Sequence, residues 1–105
     1  MLNAGKEDPT RVQSARGVAS GASNLPEVEK VALIFFGSAV ELPTDPGHVE
    51  GAQPFTARGI LPLACQAHAE QKRIKDELSR APVTLKHVGE DIVRLVNEGY
   101  QVITF

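Results

Sequence analysis

The chain has 105 residues, 42% of them hydrophobic, a formal net charge of −2 and one cysteine. That length gives one domain, 1–105, with a real core. The charge balance leaves no footprint for nucleic acid or an anionic membrane, a lone cysteine makes no intramolecular disulfide, and no apolar run approaches the roughly 20 residues of a membrane span. Met1-Leu2-Asn3-Ala4-Gly5-Lys6 is too short and too polar to read as a signal peptide, so a cytoplasmic protein with a free thiol is expected.

Met1 to Ala4 form a short first strand. Asp8-Pro9 starts a helix, with a carboxylate cap followed by proline at the first helical position. The helix runs to about Ser23, with Val12, Ala15, Val18, Ala19 and Ala22 inward, and Asn24-Leu25-Pro26 closes it. Gly17 and Gly21 weaken it by roughly 1 kcal/mol each against alanine and offer room for close packing. Lys30 to Phe36 is a continuously apolar strand, expected to be covered on both faces as in a parallel sheet.

Residues 43–54 read as a loop, with a short helix or turn over Phe55 to Arg58 and a stop at Gly59. The next strand, Ile60 to Cys65, contains Pro62, which cannot donate to a ladder. Either it begins at Leu63, or one side is locally unpaired. A charged helix follows from Ala69 to Arg80, with Ile74 and Leu78 inward and Lys72 placed to pair with Asp76. Pro82 stops it. Val83 to His87 is a short strand. Gly89 to Glu98 is a helix with Val88, Ile92, Leu95 and Val96 inward, stopped by Gly99. Tyr100 to Phe105 is the last strand. The alternation points to a three-layer α/β/α domain with a mostly parallel sheet of about five strands.

Cys65 is the sharpest functional feature. It ends a strand and meets the polar, helix-prone Gln66-Ala67-His68-Ala69-Glu70. In a parallel sheet, ligands and chemistry gather outside the carboxyl ends of the strands, and the first N–H groups of a helix favour thiolate over thiol. The competing reading makes Cys65 a small buried hydrophobe. His68 lies three residues on; it is either a partner for the thiolate or an exposed or capping histidine. Gly37, Ser38 and His87 also fall at strand ends on the expected carboxyl edge, and His48 lies in the proline- and glycine-rich loop. Cys65-x-x-His68 is half a metal site without a second pair, so no metal is expected. No Gly-x-Gly-x-x-Gly follows a strand and there is no Walker A sequence, so no cofactor is expected. Gly17 to Gly21 lies inside a helix, and Lys72, Arg73, Lys75 and Arg80 read as a solvated face.

The succession of the Leu2-Asn3-Ala4-Gly5 turn, the Asp8-Pro9 helix start, Val31 to Leu42, a strand ending in Ala64-Cys65, and Val88 to Tyr100 with its Glu98-Gly99-Tyr100 close resembles the DsrE/DsrF-like family of small sulfur-relay proteins. The resemblance spans nearly the whole chain. It implies a five-stranded parallel sheet between helices, homo-oligomers, sulfur donor and acceptor proteins as partners, and a cysteine that carries persulfide sulfur. Cys65 takes that position, and Gly37 and Ser38 take the strand-end turn. The implied protein transfers sulfane sulfur and is not a conventional enzyme. The alternative is a non-catalytic ligand-binding or protein-interaction subunit with a structural Cys65.

Overall fold

The apolar run before Phe36 makes the first strand. In the computed structural model, which describes residues 1–25, 31–45, 61–81 and 83–105, β1 spans Ala32–Phe35. Leu33, Ile34 and Phe35 are all buried, as a continuously apolar strand requires. β2 (Leu61–Cys65) lies between β1 and β3 (Thr84–Lys86), and every pairing is parallel. The register sets Phe35 opposite Ala64 and Cys65 opposite Lys86, so all three strands end on one edge. Pro62 sits opposite Leu33, and β3 begins its pairing only at Leu63. The strand therefore starts before the proline, which falls where the β3 side is unpaired.

Among the described residues the sheet has three strands, not the expected five. Met1–Ala4 and Tyr100–Phe105 lie alongside it without building ladders. Leu2 alone bridges to β1, donating to Ile34 O at 2.8 Å and accepting from Phe36 N at 2.9 Å. The next two N–H groups, of Asn3 and Ala4, both turn away to the Phe105 carbonyl, so pairing with β1 stops after one residue. Phe105 N–H returns to Met1 O, and the Met1 ammonium donates to Ile103 O. Val102 and Ile103 are about half exposed, so the closing segment lacks the two-sided burial of β1.

Helix α1 (Pro9–Ser23) begins as its sequence dictates: the Asp8 carboxylate accepts the Arg11 N–H at 3.1 Å, with Pro9 in the first turn. Val12, Ala15 and Ala19 are buried, but Val18 is 45% exposed, contrary to its expected inward place. A Cβ at Gly17 or Gly21 would meet nothing among the described residues within 4 Å, so no described segment packs closely on these glycines. After β1, residues 37–44 are not a turn running into a loop but a 3₁₀ segment, Gly37–Thr44, which buries Ala39, Val40, Leu42 and Pro43. The expected loop beyond residue 45, the Phe55–Arg58 turn, the Gly59 stop, the Ile60 start, the Pro82 stop and His48 lie outside the described residues.

The single helix expected over Ala69–Arg80 is two: α2 (Gln66–Gln71) and α3 (Lys75–Ser79). Between them Arg73 takes φ +58. Arg73 N–H bonds to Glu70 O and Ile74 N–H to Ala69 O, the paired bonds of a left-handed helix stop. The stop turns Ile74 and Leu78 toward the core. It also separates Lys72 from Asp76, and Lys72 pairs instead with Glu41 at 3.4 Å. Helix α4 (Val88–Asn97) ends with the same bond pattern at Gly99, φ +99. Its buried face is Val88, Asp91 and Leu95, with Ile92 half-buried; Val96, expected inward, is 47% exposed. Among the described residues no helix is long and apolar enough to cross a membrane.

Candidate functional site

Because β1, β2 and β3 run parallel, their ends bring Gly37, Cys65 and His87 to one edge of the sheet. The residues there are not equally joined. Gly37 and His68 are in direct contact: the Gly37 N–H donates to His68 Nδ1 at 3.2 Å. The imidazole also meets Phe36 edge to face, with ring centroids 4.4 Å apart and planes at 82°. Neutral imidazole that accepts at Nδ1 carries its proton on Nε2. His68 Nδ1 is thus engaged by the backbone of the neighbouring strand end.

Gly37 has φ +57, a left-handed conformation that glycine adopts without strain. A Cβ there would fall 2.1 Å from Asn3 Oδ1, so the Asn3 side chain fills the space glycine leaves. Beside it, Gly5 lies against the Ser38 carbonyl, where a Cβ would come within 2.5 Å of the oxygen. Glu7 ties the two segments together. Its carboxylate accepts the Gly5 N–H at 2.9 Å. That bond, then its own backbone N–H, the Lys72 charge and the Ser38 hydroxyl hold its pKa below the usual carboxylate value. Ser38 thus faces the N-terminal turn.

Cys65 closes β2 and is the cap residue of α2, yet its side chain makes no capping hydrogen bond. It is only 5% exposed and packs in the core cluster with Ala64 and Ala69, both fully buried. β1 and β2 are neighbours in register, so Cys65 and the Gly37 turn stand at adjacent strand ends. His87 is exposed and caps α4 without a side-chain hydrogen bond. It stands at the end of β3, across β2 from the Gly37 turn, and its charge is the least of the causes that lower the Glu70 pKa, chief among them the Gln66 side chain. A depression of about 550 Å³ lies along α4 among Gly89, Glu90, Val93, Arg94 and Asn97. It does not join the residues of the rim. Among the described residues no cluster of three or more His, Cys, Asp or Glu could hold a metal ion.

Three participants escaped the sequence. Asn3 and Glu7 enter the rim because the chain's first residues fold back beside β1; their one local signal is adjacency to the Gly5 turn. Asp91, in the first turn of α4, is 5% exposed and bonded to Lys86 at 2.9 Å and Arg94 at 3.1 Å. The Arg94 pairing was readable as an i, i+3 spacing; the Lys86 pairing was not.

No protein-family model matches this chain, and no curated protein matches it. Among solved structures, a conserved protein of unknown function from Bacteroides thetaiotaomicron superposes with a TM-score of 0.80, covering 99% of this chain and 90% of that one at 16% identity. At that identity the likeness speaks for a shared small α/β fold alone.

Proposed function

We propose that this protein is a small DsrE/DsrF-like sulfur-relay protein in which Cys65 carries sulfane sulfur as a persulfide. The supporting observation is the position of Cys65 at the carboxyl end of the central strand of a parallel sheet, where the strand passes into α2. That edge is where open α/β sheets bind ligands. The Cys65 thiolate attacks the outer sulfur of a donor persulfide. A bond forms from Cys65 Sγ to that sulfur, the donor's sulfur–sulfur bond breaks, and the donor leaves as its thiolate. Passing the sulfur to an acceptor thiolate reverses the roles, and no net oxidant is needed. Donor and acceptor proteins, a cytoplasmic setting and assembly into homo-oligomers belong to this reading.

A second reading has its own support. Cys65 is 5% exposed and lies in the hydrophobic cluster, the ordinary setting of a structural cysteine. The protein would then be a ligand-binding or interaction subunit. One experiment separates the two: incubate the protein with sulfide and a low-molecular-weight persulfide, alkylate, and weigh it intact. A carrier gains the mass of one sulfur atom on Cys65 and loses it with dithiothreitol. No gain on the folded protein, with alkylation of Cys65 only after unfolding, would leave the structural reading standing.

A further inference from the structure

The closing segment is the outermost described backbone on the β1 side of the sheet. Leu2 bonds to β1, and its neighbours bond away from β1 to the closing segment: Met1 donates to Ile103 O and accepts the Phe105 N–H. Those two groups flank Thr104. In a parallel pair this spacing turns the N–H and C=O of the intervening residue away from the partner. By the two-residue alternation of an extended chain, those of Val102 point the same way. Among the described residues Val102 and Thr104 make no hydrogen bond, so a row of strong donors and acceptors stands open there. The opposite edge is guarded. β3 is three residues long and carries Lys86, and short length and lysine are two devices that keep an edge from pairing. Residues 99–105, Gly-Tyr-Gln-Val-Ile-Thr-Phe, contain no proline and no charged side chain. Val102 and Ile103 are 50% and 57% exposed.

We propose that this edge pairs with the same edge of a second copy of the chain, antiparallel about a two-fold axis at Ile103. The open groups select the occupant. Alternating N–H and C=O groups call for another extended backbone. A segment without charged side chains meets its own copy without like-charge repulsion, and a self-complementary two-fold contact is how identical chains most often close. The outward groups also fix the register. Val102 stands opposite the second copy's Thr104, and Thr104 opposite the second copy's Val102, each pair exchanging both of its N–H···O bonds. Ile103 then meets the second copy's Ile103 in the non-hydrogen-bonded position between them, where side chains come closest. The pairing requires nothing of Cys65: it supplies an assembly surface whether the thiol carries sulfur or only packs.

The test uses the full chain. In the parent, sedimentation gives the mass of two chains as concentration rises. Amide exchange at Val102 and Thr104, followed by NMR, slows in step, while the Phe105 N–H, already bonded to Met1, keeps its protection throughout. Cross-linking is carried out with Cys65→Ala as the background, so that only an introduced thiol reacts. Ile103→Cys should form an interchain disulfide under mild oxidation, because opposed Cα atoms at a non-hydrogen-bonded position lie about 4.5 Å apart, within disulfide reach. Val102→Cys and Thr104→Cys, each displaced along the strand from its own counterpart, should not. Thr104→Pro removes one outward N–H from each copy and no bond seen among the described residues. It should weaken the dimer by about thirtyfold, the worth of two hydrogen bonds. If the proline disturbs the fold, Ile103→Lys, which sets like charges opposite one another, takes its place and should also weaken the dimer. A single-chain mass up to millimolar concentration overturns the proposal. So does a dimer that Ile103→Cys fails to cross-link or whose Val102 and Thr104 amides stay unprotected, since its interface would lie elsewhere. Protection of those amides in the monomer overturns it too, for the chain would then cover its own edge. Sulfur gain at Cys65, weighed separately on the parent, bears on the carrier reading alone.

Discussion

Two polar clusters stand at the carboxyl ends of the strands, and they are held by different physics. At the β3 end a buried carboxylate, Asp91, is neutralised by Lys86 and Arg94, whose side chains remain about half exposed. That cluster is ionic, local in sequence and tolerant of shape, since each cation reaches in from solvent on a long stem. At the β1 and β2 ends the contacts are mostly neutral and backbone-led: Gly5 against Ser38, Gly37 against Asn3, and the Gly37 N–H on His68. This rim depends on the absence of side-chain atoms at two glycines and on three chain segments meeting at once. The difference teaches that charge marks the cluster that fastens α4 to the sheet, whereas close backbone approach marks the region that carries the thiol.

The largest expected effect tests that contrast with one kind of substitution at both places. Gly5→Ala would set a Cβ 2.5 Å from the Ser38 carbonyl oxygen. Backbone must then move, at a cost of about 3 kcal/mol. Gly89→Ala, in the first turn of α4, meets nothing within 4 Å and should stabilise by about 0.5 kcal/mol through helix propensity. Urea denaturation of both variants reads the opposite signs; equal effects would erase the distinction between the clusters.

Removing the carboxylate of the ionic cluster comes next. Asp91→Ala should cost about 2 kcal/mol, the range for hydrogen bonds to charged groups. The Asp91 pKa is lowered first by the Lys86 hydrogen bond and then by Arg94, against the upward push of burial. A carboxyl whose folded pKa is depressed contributes its stability above the unfolded value, about 4, and loses it as pH falls through the lower folded value. The gap between parent and variant unfolding free energies should therefore be full at pH 6 and close progressively below about pH 4. A gap that stays constant into acid would show that the pair contributes by packing alone.

At the rim, Cys65→Ser places a hydroxyl among apolar neighbours and should cost about 1 kcal/mol, more than Cys65→Ala if the hydroxyl finds no partner. Thermal unfolding of the two variants ranks them. Cys65→Ser, expected from near-isosteric shape alone to keep the fold undisturbed, is thus a poorer control for sulfur transfer than Cys65→Ala.

The smallest effect is at Glu7. Its lowered pKa, owed first to the Gly5 N–H, makes its contribution present above the unfolded carboxyl value and absent once pH falls through the folded one. Glu7→Gln keeps an acceptor for Gly5 and should leave neutral-pH stability nearly unchanged while flattening the acid limb slightly. A large loss at pH 7 would mean that the Glu7 charge, and with it Lys72, holds the rim, making it ionic after all.

What was legible followed from signals that lie within a few residues of one another. Asp8-Pro9 started α1, the apolar run gave β1, and Gly99 stopped α4, because caps, two-sided burial and left-handed glycine are written locally. The matching stop after α2 uses Arg73, a residue with no helix-breaking signature. Its left-handed turn is accompanied by the packing of Ile74 and Leu78 on the core and by two backbone hydrogen bonds, none of which is marked locally, so one helix was expected where two exist. Parallel pairing of strands with helices between them was readable, and so was the shared edge of Gly37, Cys65 and His87, since parallel strands end together; the expected three-layer domain on a five-stranded sheet was not, for the described residues build a sheet of three strands.

The strand count was not, because ladder formation depends on partners: Asn3 and Ala4 donate to Phe105 rather than to β1, a contact between the two ends of the chain. The contacts of His68 were likewise decided by tertiary structure. Sequence placed it near Cys65 along the helix, but its nitrogen is engaged by Gly37, 31 residues away. By itself the sequence determined where helices begin, which run is apolar on both faces, and that a thiol closes a strand, since these are near-neighbour properties of the chain. Which backbone groups pair, how deep the thiol lies and what the imidazole holds were settled by contacts between distant segments, where burial forces every polar group to find a partner.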